Sequence, residues 1–210
     1  MTQEDNSINE NTTKKSLQEE AGELMKLTGK IKGDVIKNHQ NFILSKEGSD
    51  GFQKVEQKMI EIGCPFDFKK IQTYEMYPVS VAILIILVAM ELFDWGEKEI
   101  KESAVFNIKN SFILRTFLRY FVSLDTLIKK IPDFWKKNYD FGEMEIERIA
   151  ENKIIVKIKD YNIHPINCIA FSGMTEQFLK YVIKDKKTYV EEMKCTHKGD
   201  DFHEFLIYWE

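Results

Sequence analysis

The sequence predicts an α+β domain, with a helical N-terminal half followed by an antiparallel sheet of about four strands. The sheet is ordered hairpin, helix, hairpin and packs on the helices. Two changes of period carry this prediction. Up to Tyr139 apolar residues recur at the three-to-four spacing of amphipathic helices, and from Glu143 onward they alternate with charged residues, as in half-buried strands. The last residues, Thr188 to Trp209, then form two more strand-like runs around Gly199-Asp200. A chain of 210 residues is long enough for a proper core.

Residues 1–21 are dominated by Asn, Thr, Glu, Gln and Ser, which bury too little surface to offset ordering entropy. They are expected to form a disordered tail, and residues 22–210 a single domain that Gly29 to Gly33 approaches. Asp34 is placed to cap a helix over Val35–Leu44, whose apolar face holds Val35, Ile36, His39, Phe42 and Ile43. Ser49-Asp50-Gly51 should break it. A second helix, Phe52–Ile62, stops at Gly63 and Pro65. Val79–Phe93 is a nearly continuous apolar run of 15 residues containing Glu91, and it follows Pro78. A spanning helix needs roughly 20 such residues, so this run reads as a central helix buried on nearly all sides. Helices follow over Glu97–Asn107, Ser111–Phe121 and Thr126–Tyr139, the last capped by Asp125. Met144, Ile146 and Arg148 then alternate with glutamates, and Ile154, Val156 and Ile158 with lysines, which predicts a hairpin with one solvated face. Pro165 opens a helix that carries Gly173, a position suited to close helix-to-sheet packing.

Charge and cysteine usage exclude several classes. The net charge of −4, with Lys and Glu interspersed, gives no global attraction to nucleic acid. Three widely spaced cysteines (Cys64, Cys168, Cys195) make no disulfide framework, and the polar, acidic start does not read as a secretion signal. A cytoplasmic protein without a membrane span is therefore expected. No serine sits in a nucleophile elbow, and Gly29 and Gly33 lack the flanking elements of a phosphate loop. The expected role is non-catalytic.

Two groups could carry chemistry. Cys195, His197 and His203 flank the terminal turn and are candidate zinc ligands, since zinc favours Cys and His in sets of four. A fourth donor would come from Cys168, Cys64, His164 or an acidic residue. The structural alternative is a turn with surface histidines and one half-buried thiol. His39 reads as a core histidine. The aromatic-rich segment with Phe112, Phe117, Leu118 and Phe121 either lines a ligand cavity beneath the sheet or fills it.

The ending resembles the 4-vinyl-reductase domain, in which Cys is followed by seven residues with a Gly-Asp-like turn, a second Cys, a charged residue, Phe and two apolar residues. Cys195, Gly199-Asp200, His203, Glu204, Phe205, Leu206 and Ile207 follow that pattern, with His203 in place of the second Cys. The element order is similar across the superfamily that joins this domain to the heme nitric-oxide-binding sensors and the TRAPP tethering subunits. An uncharacterised bacterial group first noted in myxobacteria also shares the helical half and a Trp-terminated last strand. The resemblance implies a sensory or regulatory domain binding a small apolar ligand between helices and sheet. The alternative it leaves is an interaction module, pairing with itself as a homodimer or with a partner protein. Heme is not expected as the cofactor: residues 90–125 contain no His, and Tyr-x-Ser-x-Arg does not occur.

Overall fold

The structure, a computed structural model, describes residues 15–118, 123–183 and 186–210, so the part of the expected tail in residues 1–14 lies outside it. The helices are α1 (Leu17–Leu24), α2 (Gly33–Glu61), α3 (Val79–Phe93), α4 (Glu97–Asn110), α5 (Phe112–Leu118), α6 (Leu124–Asn138) and α7 (Ile166–Leu179). The strands are β1 (Lys30–Lys32), β2 (Met76–Pro78), β3 (Glu143–Ala150), β4 (Lys153–Lys159), β5 (Thr188–Lys194) and β6 (His203–Trp209). The α+β class is as predicted: helices come first, and the four-stranded sheet is antiparallel in the order β3-β4-β6-β5.

The apolar run forms α3 over the expected residues, with Pro78 at its start, and every residue from Val79 to Ala89 is buried. Burial on all sides requires covering layers, and α1, α2 and the small β1–β2 sheet supply them. That sheet was not predicted, because each strand is only three residues long and its partner lies far along the chain, pairing Ile31 with Tyr77.

Four features differ from expectation. The domain begins before residue 22, because Ser16 and Glu19 form a reciprocal capping box. Leu17, Ala21 and Leu24 then lie one turn apart and are buried; three apolar residues on one stripe suffice to dock a polar helix. The break in α2 falls at Gly48, whose φ of 71° favours glycine. The side chain of Asp34 does not cap its own helix. It is buried and accepts hydrogen bonds from Ser111 Oγ and from the first backbone N–H groups of α5. Ser123 rather than Asp125 caps α6, and Asp125 pairs with Arg148 at 2.8 Å.

Strand parity sets the second core. His203, Phe205, Ile207 and Trp209 alternate with less buried residues along β6, and Ile154, Val156 and Ile158 do so along β4. On the outer face Lys159 meets Glu145 at 2.6 Å and Lys157 meets Glu204 at 3.7 Å. Helix α7 covers the inner face and touches α4 closely: a Cβ at Gly173 would lie 3.0 Å from the Lys101 carbonyl oxygen. The glycine therefore serves helix-on-helix packing, not the helix-on-sheet contact expected of it. No helix among the described residues is long and apolar enough to cross a membrane.

The docking of α1 is testable. Leu24→Ala removes a side chain that is 5% exposed and should destabilise the protein by about 2–4 kcal/mol in urea titrations. Its neighbour Met25, 42% exposed, should tolerate the same change within about 0.5 kcal/mol. Equal effects at the two positions would place α1 off the core.

Candidate functional site

Two features occupy the junction between the helical half and the sheet. The first is a group of metal-ligating side chains. Cys168 comes from the first turn of α7, Glu192 from β5, Cys195 from just after β5, and His203 opens β6. Their ligand atoms all lie within 4.8 Å of one another. The backbone explains this convergence. Glu192 pairs with Phe205 across the sheet and so shares the inward face, and the register shifts just beyond it, between Glu192 and Lys194. Cys195 is buried, and its N–H donates to Asp200 Oδ2 at 2.8 Å, which holds the turn that returns the chain to His203.

The spacing suits a tetrahedral ion. Cys168 Sγ stands 3.6 Å from Cys195 Sγ and 3.6 Å from His203 Nδ1. Two sulfurs on one zinc would lie about 3.8 Å apart, and a sulfur and an imidazole nitrogen about 3.5 Å apart. The histidine is also oriented. Its Nε2 lies 2.8 Å from the Tyr161 carbonyl oxygen and 2.9 Å from Thr196 Oγ1. Donation from Nε2–H to the carbonyl leaves the Nδ1 lone pair directed at the sulfurs, as metal-bound histidines are commonly held. Glu192 Oε2 pairs with Lys198 at 2.6 Å, whereas Oε1 is buried without a hydrogen-bond donor among the described residues. Burial, then the Glu192 carboxylate, push the Cys168 thiol far above its ordinary value. Glu192 resists its own burial through Lys198 and the thiols, which keep it below the usual carboxylate range. A dication would remove both tensions by stabilising thiolate and carboxylate together.

The second feature is a cavity of about 150 Å³ between α2, α3, α4, α6, α7 and the sheet. Val79, Ile83, Leu114, Trp135 and Tyr139 give it apolar walls, and Asp34, His39, Asn107 and Asn167 its polar points. Cys168 and His203 belong to the same wall, so cavity and ligand group share two side chains. Asn167 Nδ2 is buried with no acceptor among the described residues. Burial holds Asp34 above the usual carboxylate range, although Ser111 and the α5 backbone oppose it. An adjoining cavity of about 120 Å³, bounded by α6, α7 and the sheet, is almost wholly apolar and shares Trp135, Tyr139 and Met174.

The predicted residues are distributed unevenly. Cys195 and His203 fall in the ligand group. His197 is beside it, its ring 5.6 Å from that of His203; Cys168, one of the candidate fourth donors, and Glu192 complete the set. Phe112 lines neither cavity. It is 60% exposed and meets Tyr74 edge-on, because α5 turns its first residue outward. Phe117 packs on Phe134 at 4.4 Å. The side chains of Leu118 and Phe121 are outside the described residues. The residues that do line the main cavity, Trp135, Tyr139 and Tyr161, carry no motif. Their signal was the aromatic density after residue 130.

No family model matches the chain. An uncharacterized protein of Methanocaldococcus jannaschii is 28% identical over 113 residues, covering 50% of this chain and 64% of that protein; this chain thus spans less than two thirds of that relative. Among solved structures, an H-NOX protein from S. oneidensis in the Fe(II)NO ligation state aligns with a TM-score of 0.66 at 16% identity, over 86% of this chain and 99% of that one. An oxygen-binding H-NOX domain related to soluble guanylate cyclases gives 0.62 at 14%, over 86% and 95%. A structure solved for modulation of heme redox potential by porphyrin distortion gives 0.60 at 12%, over 86% and 99%. The fold is therefore that of the heme-nitric-oxide-binding domains.

This corrects the expectation that heme has no place here, which rested on motif residues and not on architecture. The donor set meets part of the requirement. His39, at the cavity wall, has its Nδ1 3.0 Å from Ser103 Oγ, and burial lowers its pKa to about 4, so it offers a neutral imidazole. The described lining of the cavity contains neither lysine nor arginine to pair with the carboxylates of a porphyrin.

His39 gives a pH prediction. Its folded pKa lies below its ordinary value, so the unfolded chain binds the extra proton and stability falls as pH drops from about 6.5 to about 4. The loss attributable to His39 is at most about 3 kcal/mol. His39→Gln should flatten the acid limb of a plot of stability against pH; an unchanged slope would show that His39 charges freely in the fold.

Proposed function

We propose that this chain is a non-catalytic sensing domain. It binds a small, uncharged, mostly apolar molecule in the cavity, and a divalent metal ion, zinc by its donor set, clasps α7 to β5 and β6. The observation that carries the reading is the shared wall: Cys168 and His203 belong both to the ligand group and to the cavity. The likeness in fold to domains that ligate nitric oxide or oxygen supports the sensory part. The volume supports a ligand of single-ring size, since an apolar cavity of about 150 Å³ accommodates benzene. Asn167 Nδ2 supports one acceptor on that ligand. In this reading the chain binds and orients and makes no bond. The resemblance to the 4-vinyl-reductase ending suggests a separate, third reading, an accessory subunit of an enzyme.

A second reading, an interaction or homodimerisation module, draws on the exposed Tyr74–Phe112 pair. Native mass spectrometry of the full chain separates the two. Retained mass of a small organic molecule in a monomer supports sensing; a ligand-free dimer that Phe112→Ala dissociates supports assembly. A porphyrin mass would assign the cavity to heme.

The clasp predicts one zinc per chain by elemental analysis. Chelation should lower the melting temperature of the wild type, with zinc at a hundred times its Kd contributing about 2.7 kcal/mol. The Cys195→Ala, His203→Ala double variant should show no chelator response. Loss of the His203 hydrogen bonds alone should cost about 1–3 kcal/mol, so that variant starts less stable.

A further inference from the structure

We infer that the two internal cavities form one chamber for a two-part ligand. An aromatic ring bearing a neutral hydrogen-bond acceptor occupies the main cavity, and an unbranched alkyl tail on that ring occupies the cavity beside it. The inference rests on the ligand-binding reading proposed above. It goes beyond that reading by giving the ligand a head, a tail and a direction.

Helix α7 sets the direction. Asn167, Phe171, Met174 and Phe178 recur at helical spacing along it and form one stripe on the cavity side. Asn167 lines the main cavity alone, Phe171 and Met174 line both, and Phe178 lines the adjoining one alone. The cavities therefore lie end to end along one helix, over roughly 16 Å at the α-helical rise. Trp135 of α6 and Tyr139 just after it also belong to both walls. Met174 is the pliant member of this shared wall, because an unbranched thioether side chain adapts to what lies beside it.

The two ends differ in chemistry. Around the main cavity most polar side chains already have partners. Asp34 accepts from Ser111, Asn107 accepts from Asn38, His39 meets Ser103, and Asn138 donates to the Phe134 carbonyl oxygen. Asn167 is the exception, since its Nδ2 is buried with no acceptor among the described residues; a ligand oxygen would relieve that deficit. The rings of Trp135, Tyr139 and Tyr161 border the same space, where a flat head can stack on them or meet them edge-on. Beyond the shared wall the lining turns aliphatic, with Leu127, Ile128 and Ile131 from α6 and Met144 and Ile146 from β3. Such a lining favours an alkyl chain over a polar group. Neither cavity has a lysine or arginine in its described lining, and Asp34 adds a carboxyl to the main one, so a carboxylate head is disfavoured.

Isothermal titration calorimetry of the full chain tests this with acetophenone, para-hexylacetophenone, hexylbenzene and para-hexylbenzoate. The hexyl tail should tighten binding more than tenfold over acetophenone, since each buried methylene is worth about fourfold. Ile128→Phe fills the aliphatic cavity and should abolish that gain while leaving acetophenone affinity unchanged. Ile146→Phe makes the same test from the sheet side should the α6 variant not fold. Asn167→Leu should weaken para-hexylacetophenone about five- to tenfold and leave hexylbenzene unchanged, and para-hexylbenzoate should bind more weakly than the ketone. If the hexyl group adds nothing, or both phenylalanine variants keep the gain, the tail is overturned while the ligand-binding reading stands. Benzoate binding as tight as that of the ketone, or an equal response of ketone and hexylbenzene to Asn167→Leu, overturns the neutral head at Asn167. Binding of neither ketone would defeat the ligand-binding reading itself, and the inference with it.

Discussion

The architecture follows from one demand, that α3 be covered on every side. Its residues from Val79 to Ala89 are buried without a polar face, and an exposed isoleucine or leucine side chain forfeits about 1.5–3 kcal/mol. The helix would be unstable at a surface and too short to leave water for a bilayer. Two limbs of α2, the short α1 and the β1–β2 ribbon therefore pack around it. This rigid block gives α4 and α7 a surface on which to dock, and α7 brings Cys168 to the sheet. The site is thus downstream of a packing requirement some 80 residues earlier in the chain.

The two cores meet imperfectly, and that is where the functional features gather. The helical core around α3 and the sheet core under β4 and β6 are separate clusters, and between them lie the cavity and the ligand group. Aromatic rings bridge the seam: Trp135 stacks on Tyr139 at 4.1 Å, and Phe141 on Tyr161 at 5.5 Å. Burial at the seam pushes the Tyr139 hydroxyl up to about 12.

What was legible in the sequence was periodic or local. The apolar run of α3, the alternation in β3 and β4, and the inward parity of His203, Phe205, Ile207 and Trp209 all express a single element's period. So does the placing of Cys195 near His203, set by one turn. What was not legible depended on docking. Cys168 joins Cys195 only because α7 lies against the sheet, and Glu192 faces inward because it pairs with Phe205 just before the register shifts. Phe112 looked like a wall of the cavity because it is apolar, but a helix start has no period by which to tell its inside from its outside. Residues 16–21 looked like tail because composition averages over a stripe of only three buried side chains. Heme was set aside on motifs, and architecture restored the question.

The placing of Trp135 has an optical consequence. Its indole is 5% exposed, donates to the Gly142 carbonyl oxygen at 3.1 Å, stacks on Tyr139 and forms part of the wall of both internal cavities. Of the three tryptophans, Trp95 belongs to the helical core and Trp209 to the end of β6, so one chromophore stands at the seam. An occupant of either cavity touches that ring and changes the polarity around it, and the emission of this domain carries a built-in report of what the cavity holds.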